Sequence, residues 1–295
     1  MTDPFPQQRI ALATGVELDV VVAGDPANPP IILLHGFPES HRTWRHQIPF
    51  LAQSHFVLAP DQRGYARSSK PEGVAAYATA NIVADVLALA DHFGIDRFTL
   101  VGHDWGGAAA WMTAINHPDR VAQLIILNAP HPYIFQRTLF DDPDQRASSQ
   151  YITAFRNPGL EAHIAEIGIE AYFDKTFVGH ADRDKFNAER AVYIDQWSQP
   201  GALTGMYNWY RASSIIVPAM DEDPPRPAFL SRPFPPMQMP VLMIWGLADT
   251  ALRPSQLEGI EALVPDLTLV KVDAGHFVTW EVPEAVNEAI GQWLT

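Results

Sequence analysis

One residue stands where a nucleophile would be presented. In Val101-Gly102-His103-Asp104-Trp105-Gly106-Gly107 an aspartate lies at the centre of a small-x-nucleophile-x-small frame, between an apolar run and a helix-like stretch. A strand-to-helix turn this sharp needs glycines, because side chains at Gly102 or Gly106 would collide with neighbouring backbone. The helix starting at Trp105 is expected to aim its free N–H groups and positive dipole end at charge developing there. A carboxylate, with a reference pKa of about 4, can displace a leaving group at a saturated carbon without help from a base. The resulting alkyl ester keeps a carbonyl that water can attack, whereas a serine would leave an ether that nothing in the site could reopen. Asp249 and His276 follow later apolar runs, giving the chain order nucleophile, acid, base. His276, oriented by Asp249, is expected to deprotonate the hydrolytic water. Asp273 is a local alternative to Asp249, with a less favourable reach to the imidazole. The plainer alternative for Asp104, a helix cap among packing glycines, accounts for the seven residues but not for the rest of the set.

Short Val/Ile/Leu-rich runs alternate with helix-like stretches, which implies a largely parallel sheet covered on both faces. Eight strands are expected: Arg9 to Ala13 and Glu17 to Ala23 as a hairpin turning at Gly15, then Ile31 to Leu34, Phe56 to Ala59, Phe98 to Val101, Leu124 to Leu127, Val241 to Trp245 and Leu267 to Val272. Thr79 to Phe93, Trp105 to Asn116 and Pro283 to Leu294 carry helical spacing. The alternation fails between about His131 and Met239, where helical patterns dominate, and the segment ends in eight prolines between Val217 and Pro240, a composition suited to an extended connector.

Composition narrows the chemistry further. No Cys among 295 residues excludes disulfides, thiolate nucleophiles and Cys-ligated metals. The scattered histidines have no ligand spacing, so no metal is expected. A formal charge of −14 argues against nucleic acid and membrane surfaces as partners. Met1 to Gln8 has neither a basic start nor an apolar segment, which reads as a cytoplasmic protein; a homodimer stays open.

His35-Gly36-Phe37-Pro38-Glu39-Ser40, Gly102 to Gly107 and Gly275-His276 together resemble the α/β-hydrolases of the epoxide hydrolase and haloalkane dehalogenase group, and within it the epoxide hydrolases most, from about Arg9 to Leu294. The resemblance implies an α/β-hydrolase fold: an eight-stranded mostly parallel sheet flanked by helices, with a helical cap inserted after the sixth strand. The core would be residues 1–130 and 238–295, and the cap 131–237. It further implies an oxyanion hole from the N–H groups of Phe37 and Trp105. Asn208-Trp209-Tyr210-Arg211 is similar to the cap segment carrying one ring-opening tyrosine, and Tyr151, in Tyr-x-x-x-Phe-x-x-Pro-Gly, matches its partner; Tyr207, Tyr133 and Tyr172 are reserves. Some members place the acid after the sixth strand, but Leu124 to Pro130 contains no carboxylate.

The implied substrate is a small, neutral, largely apolar epoxide, hydrolysed by water without a cofactor to a vicinal diol. A haloalkane dehalogenase is the alternative, with Trp197 or Trp209 as halide donor in place of the Asn that often stands at Phe37. Fluoroacetate dehalogenation loses its clamp, since Trp105 and Ala108 occupy the matched arginine positions. A non-catalytic binding module on the same fold is a third reading. The absence of Gly-x-Ser-x-Gly removes esterase and peptidase readings. His103 and His35 are expected to be packed turn residues, and Ala66, where the family often has Gly, to affect only its turn. Phe37, Trp105, Phe140, Phe155, Trp197 and Trp209 cannot be divided between pocket and core from sequence.

Overall fold

The computed structural model describes residues 5–177 and 183–294. Eight strands, β1 (Gln7–Ala11), β2 (Glu17–Ala23), β3 (Pro30–Leu34), β4 (Phe56–Pro60), β5 (Phe98–His103), β6 (Val121–Leu127), β7 (Val241–Gly246) and β8 (Leu267–Val272), form one sheet in the order β1-β2-β4-β3-β5-β6-β7-β8. β1 and β2 pair antiparallel and β2 joins β4 antiparallel; every later pairing is parallel. The central strands are buried on both faces, and their side chains alternate between two cores. Ile32, Leu34, Leu100 and Ile126 enter one core, and Ile31, Leu33, Val101 and Ile125 the other.

Helices α1 (Gln47–Leu51), α2 (Thr79–His92) and α3 (Trp105–Asn116) connect the first six strands. Between β6 and β7 lie α4 (Pro132–Asp141), α5 (Pro143–Ser148), α6 (Gln150–Phe155), α7 (Leu160–Ile167), α8 (Ile169–Thr176), α9 (Arg183–Trp197) and α10 (Ala202–Ala212). The chain closes with α11 (Val278–Glu281) and α12 (Pro283–Trp293). α2 and α3 cover the first core, through Val86, Leu89, Ala110 and Trp111, while α1 and α12 cover the second. The proline-rich stretch after α10 contains only a short 3-10 turn, Ala228–Ser231, among helical and strand elements before β7. No helix among the described residues is long and apolar enough to cross a membrane.

Several strand ends differ from the sequence reading, most of them by one or two residues. β1 ends at Ala11 rather than Ala13, because Leu12 bonds Val16 O and Gly15 bonds Leu12 O to close the hairpin turn. β6 begins at Val121, three residues early, since pairing with β5 runs back through the half-buried Gln123 to Val121. β8 is an edge strand, half-buried to exposed along its length. Ala66 adopts φ +46°, a left-handed conformation that disfavours a Cβ, so the departure from Gly is confined to a strained turn.

Polar anchors tie the helices of the insert to the loops at the carboxyl ends of the strands. Arg42 grips Glu189 on α9 with Nε at 2.7 Å and Nη2 at 2.6 Å. The Tyr193 hydroxyl donates to Glu39 Oε1 at 2.8 Å and the Trp197 indole N–H to Pro38 O at 2.8 Å. On α10, the Trp209 indole N–H donates to Arg63 O at 3.0 Å. Gly205 of α10 lies directly on Gly64, and a Cβ there would meet Gly64 Cα and O at 2.6 Å. Gly205→Ala must therefore lift α10 off the loop after β4, and overpacking of this kind costs about 1–3 kcal/mol. A fall in the thermal midpoint of roughly 2–10 °C, followed by circular dichroism, is expected; an unchanged midpoint would mean that the contact is relaxed at no cost.

Candidate active site

The turn from β5 into α3 holds Asp104 at φ +52°, an uncommon value for a residue with a Cβ. Its surroundings leave little choice. A Cβ on Gly106 would strike the backbone of Leu34 and His35, and one on Gly36 would strike the Asp104 side chain, so two glycines let β3, β5 and α3 converge. The Phe37 N–H donates to Asp104 Oδ1 at 2.7 Å. Trp105, the first residue of α3, directs its N–H from the same helix end, where backbone donors have no partner within the helix. Of the two N–H groups expected to form an oxyanion hole, that of Phe37 meets the Asp104 carboxyl directly, and that of Trp105 opens the helix that follows it.

His276 lies in the loop after β8 and Asp249 in the loop after β7. The His276 Nδ1–H donates to Asp249 Oδ2 at 2.7 Å, and Nε2 faces Asp104 Oδ2 at 3.5 Å. Burial opposes protonation of the imidazole, but the adjacent Asp249 and Asp104 outweigh it and hold its pKa well above the ordinary value. Burial alone would raise the Asp249 carboxyl; the charge of His276 and several donors hold it below the usual value instead. Those donors are His276, Asn128 Nδ2 at 2.7 Å, and the N–H groups of Ala251 and Leu252, both at 2.9 Å to Oδ1.

Two residues of this frame were not singled out in the sequence. Asn128, at φ +39° just after β6, also accepts from Gly246 N–H at 2.9 Å and so pins the ends of β6 and β7 together. Glu281 on α11 accepts from the N–H groups of Gly275, at 2.6 Å, and Phe277, at 3.0 Å, and fixes the His276 loop from both sides. A search confined to carboxylates passes over Asn128. The spacing of four between Phe277 and Glu281 was the available signal for the other.

A cavity of about 300 Å³ reaches Asp104, and its walls include Trp105, Tyr151 and Tyr210. The Tyr151 and Tyr210 rings are 6.2 Å apart, and Tyr210 stands edge-on to Trp105 at 5.0 Å. Burial, and then the Asp104 carboxylate, push both phenols above their ordinary range, which favours the protonated, donating form. The reserves are engaged differently. Tyr207 and Tyr172 share a hydroxyl-to-hydroxyl hydrogen bond, while Tyr133 lines the cavity and donates to Leu230 O at 3.1 Å. The indole N–H groups of Trp197 and Trp209 both bond backbone carbonyls, so neither is available as the halide donor that dehalogenation would need.

The neighbouring histidines are packed. His35 Nε2 accepts from Gln62 N–H at 3.0 Å and its Nδ1 bonds Gly36 O at 3.0 Å. His103 bonds the His276 carbonyl oxygen through Nε2 at 2.8 Å, and burial, reinforced by His276, lowers its pKa to about 4. Of the aromatics left undivided by sequence, Trp105 and Trp209 line the cavity; Phe37, Phe155, Trp197 and Phe140 pack in or against the apolar core.

The sequence profile described as alpha/beta hydrolase fold matches residues 29–160. The chain is 36% identical to the AB hydrolase superfamily protein YfhM of Bacillus subtilis, with 95% of each chain covered. It is 32% identical to Epoxide hydrolase A of Mycobacterium tuberculosis, over 98% of each. A solved structure from work on novel epoxide hydrolases of the alpha/beta hydrolases superfamily, from metagenomes of hot environments, superposes with a TM-score of 0.93, 47% identity and 99% coverage of both chains. An eight-stranded sheet with this topology, matched end to end by such relatives, means that the chain belongs to the α/β-hydrolase superfamily, among members named epoxide hydrolases.

Proposed function

We propose that the protein hydrolyses epoxides to vicinal diols through an alkyl ester on Asp104. The observation that carries this reading is the pairing, across one apolar cavity, of a carboxylate backed by His276 and Asp249 with two protonated phenols. Tyr151 and Tyr210 hydrogen-bond the ring oxygen. A carboxylate oxygen of Asp104 bonds to one ring carbon as that carbon's bond to the ring oxygen breaks, and the oxygen takes a tyrosine proton. His276 then removes a proton from water, and the hydroxide adds to the Asp104 carbonyl carbon. The oxyanion so formed is held by the N–H groups of Phe37 and Trp105. Its collapse expels the diol, protonated by His276; the carboxylic acid left on Asp104 gives its proton to solvent as the tyrosinate regains one, and the water oxygen remains in Asp104. The helices between β6 and β7, residues 131–237, act as a cap that keeps bulk water from the carboxylate.

The roles separate by mutation. His276→Gln removes the base but leaves ring opening intact, so intact mass after mixing with styrene oxide should show the ester accumulating on the protein. Steady turnover by that variant would remove His276 from the mechanism. Replacing Tyr151 and Tyr210 together by Phe should lower the ester-formation rate by about 10²–10⁴, the usual worth of a positioned acid; ring opening at the original rate would require a different proton donor.

The pH dependence has a definite sign. Asp104 raises the His276 pKa in the free enzyme, and esterification neutralises that carboxylate, so the pKa falls as the base comes into use. Ester hydrolysis needs the neutral imidazole and weakens as pH drops through the pKa of the esterified state, whereas ring opening does not need it. Rapid-quench mass spectra are therefore expected to contain more ester at about pH 5 than at about pH 8. An ester fraction that ignores pH over that interval would contradict the assignment of the base.

A further inference from the structure

The space around Asp104 is open on one side and filled on the other. The cavity runs along α2, α3 and α4, between Ile82, Trp105, Met112, Phe135 and Phe234, with Phe229 of the proline-rich stretch at its rim, 48% exposed. Its walls are overwhelmingly apolar. Gln136, a polar residue on the wall, is occupied: its amide donates to Ile216 O at 2.8 Å and accepts from Ile216 N–H at 2.9 Å.

The loops after β3 and β8 also adjoin Asp104, through the Phe37 N–H and His276, and their aromatic rings are packed against rings of the insert. Phe37, whose N–H bonds the nucleophile, packs its ring against Phe155 at 5.1 Å and Tyr207 at 5.7 Å. Phe277, next to His276, packs against Phe177 at 5.5 Å, and Phe177 stacks on Trp197 at 5.9 Å. The Tyr207 to Tyr172 hydroxyl bond and the Tyr172 contact with Trp197 join these groups into one wall. None of Phe37, Phe155, Tyr207, Trp197, Phe177 or Phe277 lines the cavity.

An epoxide must present one carbon to Asp104 while its oxygen meets Tyr151 and Tyr210. The groups on its two carbons then point to opposite sides of the carboxylate. Only one of those directions has room.

We infer that the substrates are terminal epoxides: an unsubstituted CH2 end lies against the Phe37 and Phe155 wall, and a single apolar aryl or alkyl group occupies the 300 Å³ lobe. The inference rests on the epoxide reading and deepens it. Among the described residues no cation lines the lobe to receive an acid, so the group is neutral, and a second substituent on the far carbon has to displace packed rings. Rejection of misfitting groups by an apolar wall is worth about 10–200-fold per methylene-sized group.

The test compares kcat/KM for styrene oxide and phenyl glycidyl ether with that for trans-β-methylstyrene oxide and trans-stilbene oxide. Both terminal substrates should be used well, and the two disubstituted ones about 100-fold or more less well. Phe155→Ala, and Phe155→Leu as the gentler variant, should narrow that gap at least tenfold while phenyl glycidyl ether is still turned over. Comparable use of all four epoxides by the unaltered protein would overturn the inference and leave epoxide hydrolysis standing. So would a gap that neither Phe155 variant narrows. Failure to open any of the four would instead bring down the epoxide reading itself, and with it this one.

Discussion

The site turns on one imidazole held between two unequal carboxylates. Asp249 is fully buried and receives four donors, so its charge is spread and its position fixed. Asp104 meets the Phe37 N–H on one oxygen and faces His276 across 3.5 Å on the other. A carboxylate saturated with hydrogen bonds is a poor nucleophile, because each donor must be weakened as charge leaves the oxygen. Under the proposed chemistry this asymmetry sorts the two acids: the satisfied one orients the imidazole, and the less satisfied one reacts. Nearly every other feature of the fold preserves that inequality.

The sheet supplies the positions. Parallel strands bring the loops after β3, β5, β7 and β8 to a common edge, where Phe37, Asp104, Asp249 and His276 meet from distant parts of the chain. The left-handed backbone at Asp104 is strained, and it is held by close packing of Gly36 and Gly106 against their neighbours. Asn128 and Glu281 act one step further out, locking the ends of β6 and β7 and the His276 loop. Strain at one residue is tolerable because four strand ends and a helix define its surroundings.

What could be read from sequence follows from how local each signal is. Buried strands announce themselves as short apolar runs, and the glycines around Asp104 mark a sharp turn, because Gly102 packs on Gly106 and Gly107 within the same short segment, whereas the contact of Gly106 with β3 is not local. The order of Asp104, Asp249 and His276 after successive runs is similarly legible. Asn128 was not, because its role exists only once β6 and β7 are adjacent and its amide can reach Asp249. The end of β1 is not legible either, since Leu12 and Ala13 have strand-like side chains, and only the bond from Leu12 to Val16 assigns them to a turn. The division of aromatic residues between wall and lobe is wholly a matter of tertiary packing; Trp105 and Phe155 have the same apolar character in the chain and border different regions of the site.

The anchoring of the insert and the choice of leaving group are linked through the same donors. The helices between β6 and β7 have to be seated over the Asp104 cavity, and packing alone would let them slide, since apolar contacts are not directional. Trp197 and Trp209 fix them by donating to Pro38 O and Arg63 O, in the very loops that adjoin Asp104. Indole N–H groups committed in this way cannot also receive a departing halide. The phenols of Tyr151 and Tyr210 line the cavity with Asp104 and, unlike indoles, can surrender a proton to an alkoxide. Under the proposed chemistry, fastening the cap with tryptophan and facing the substrate with tyrosine are two consequences of one allocation of hydrogen bonds, and it favours a leaving group that ends as a hydroxyl.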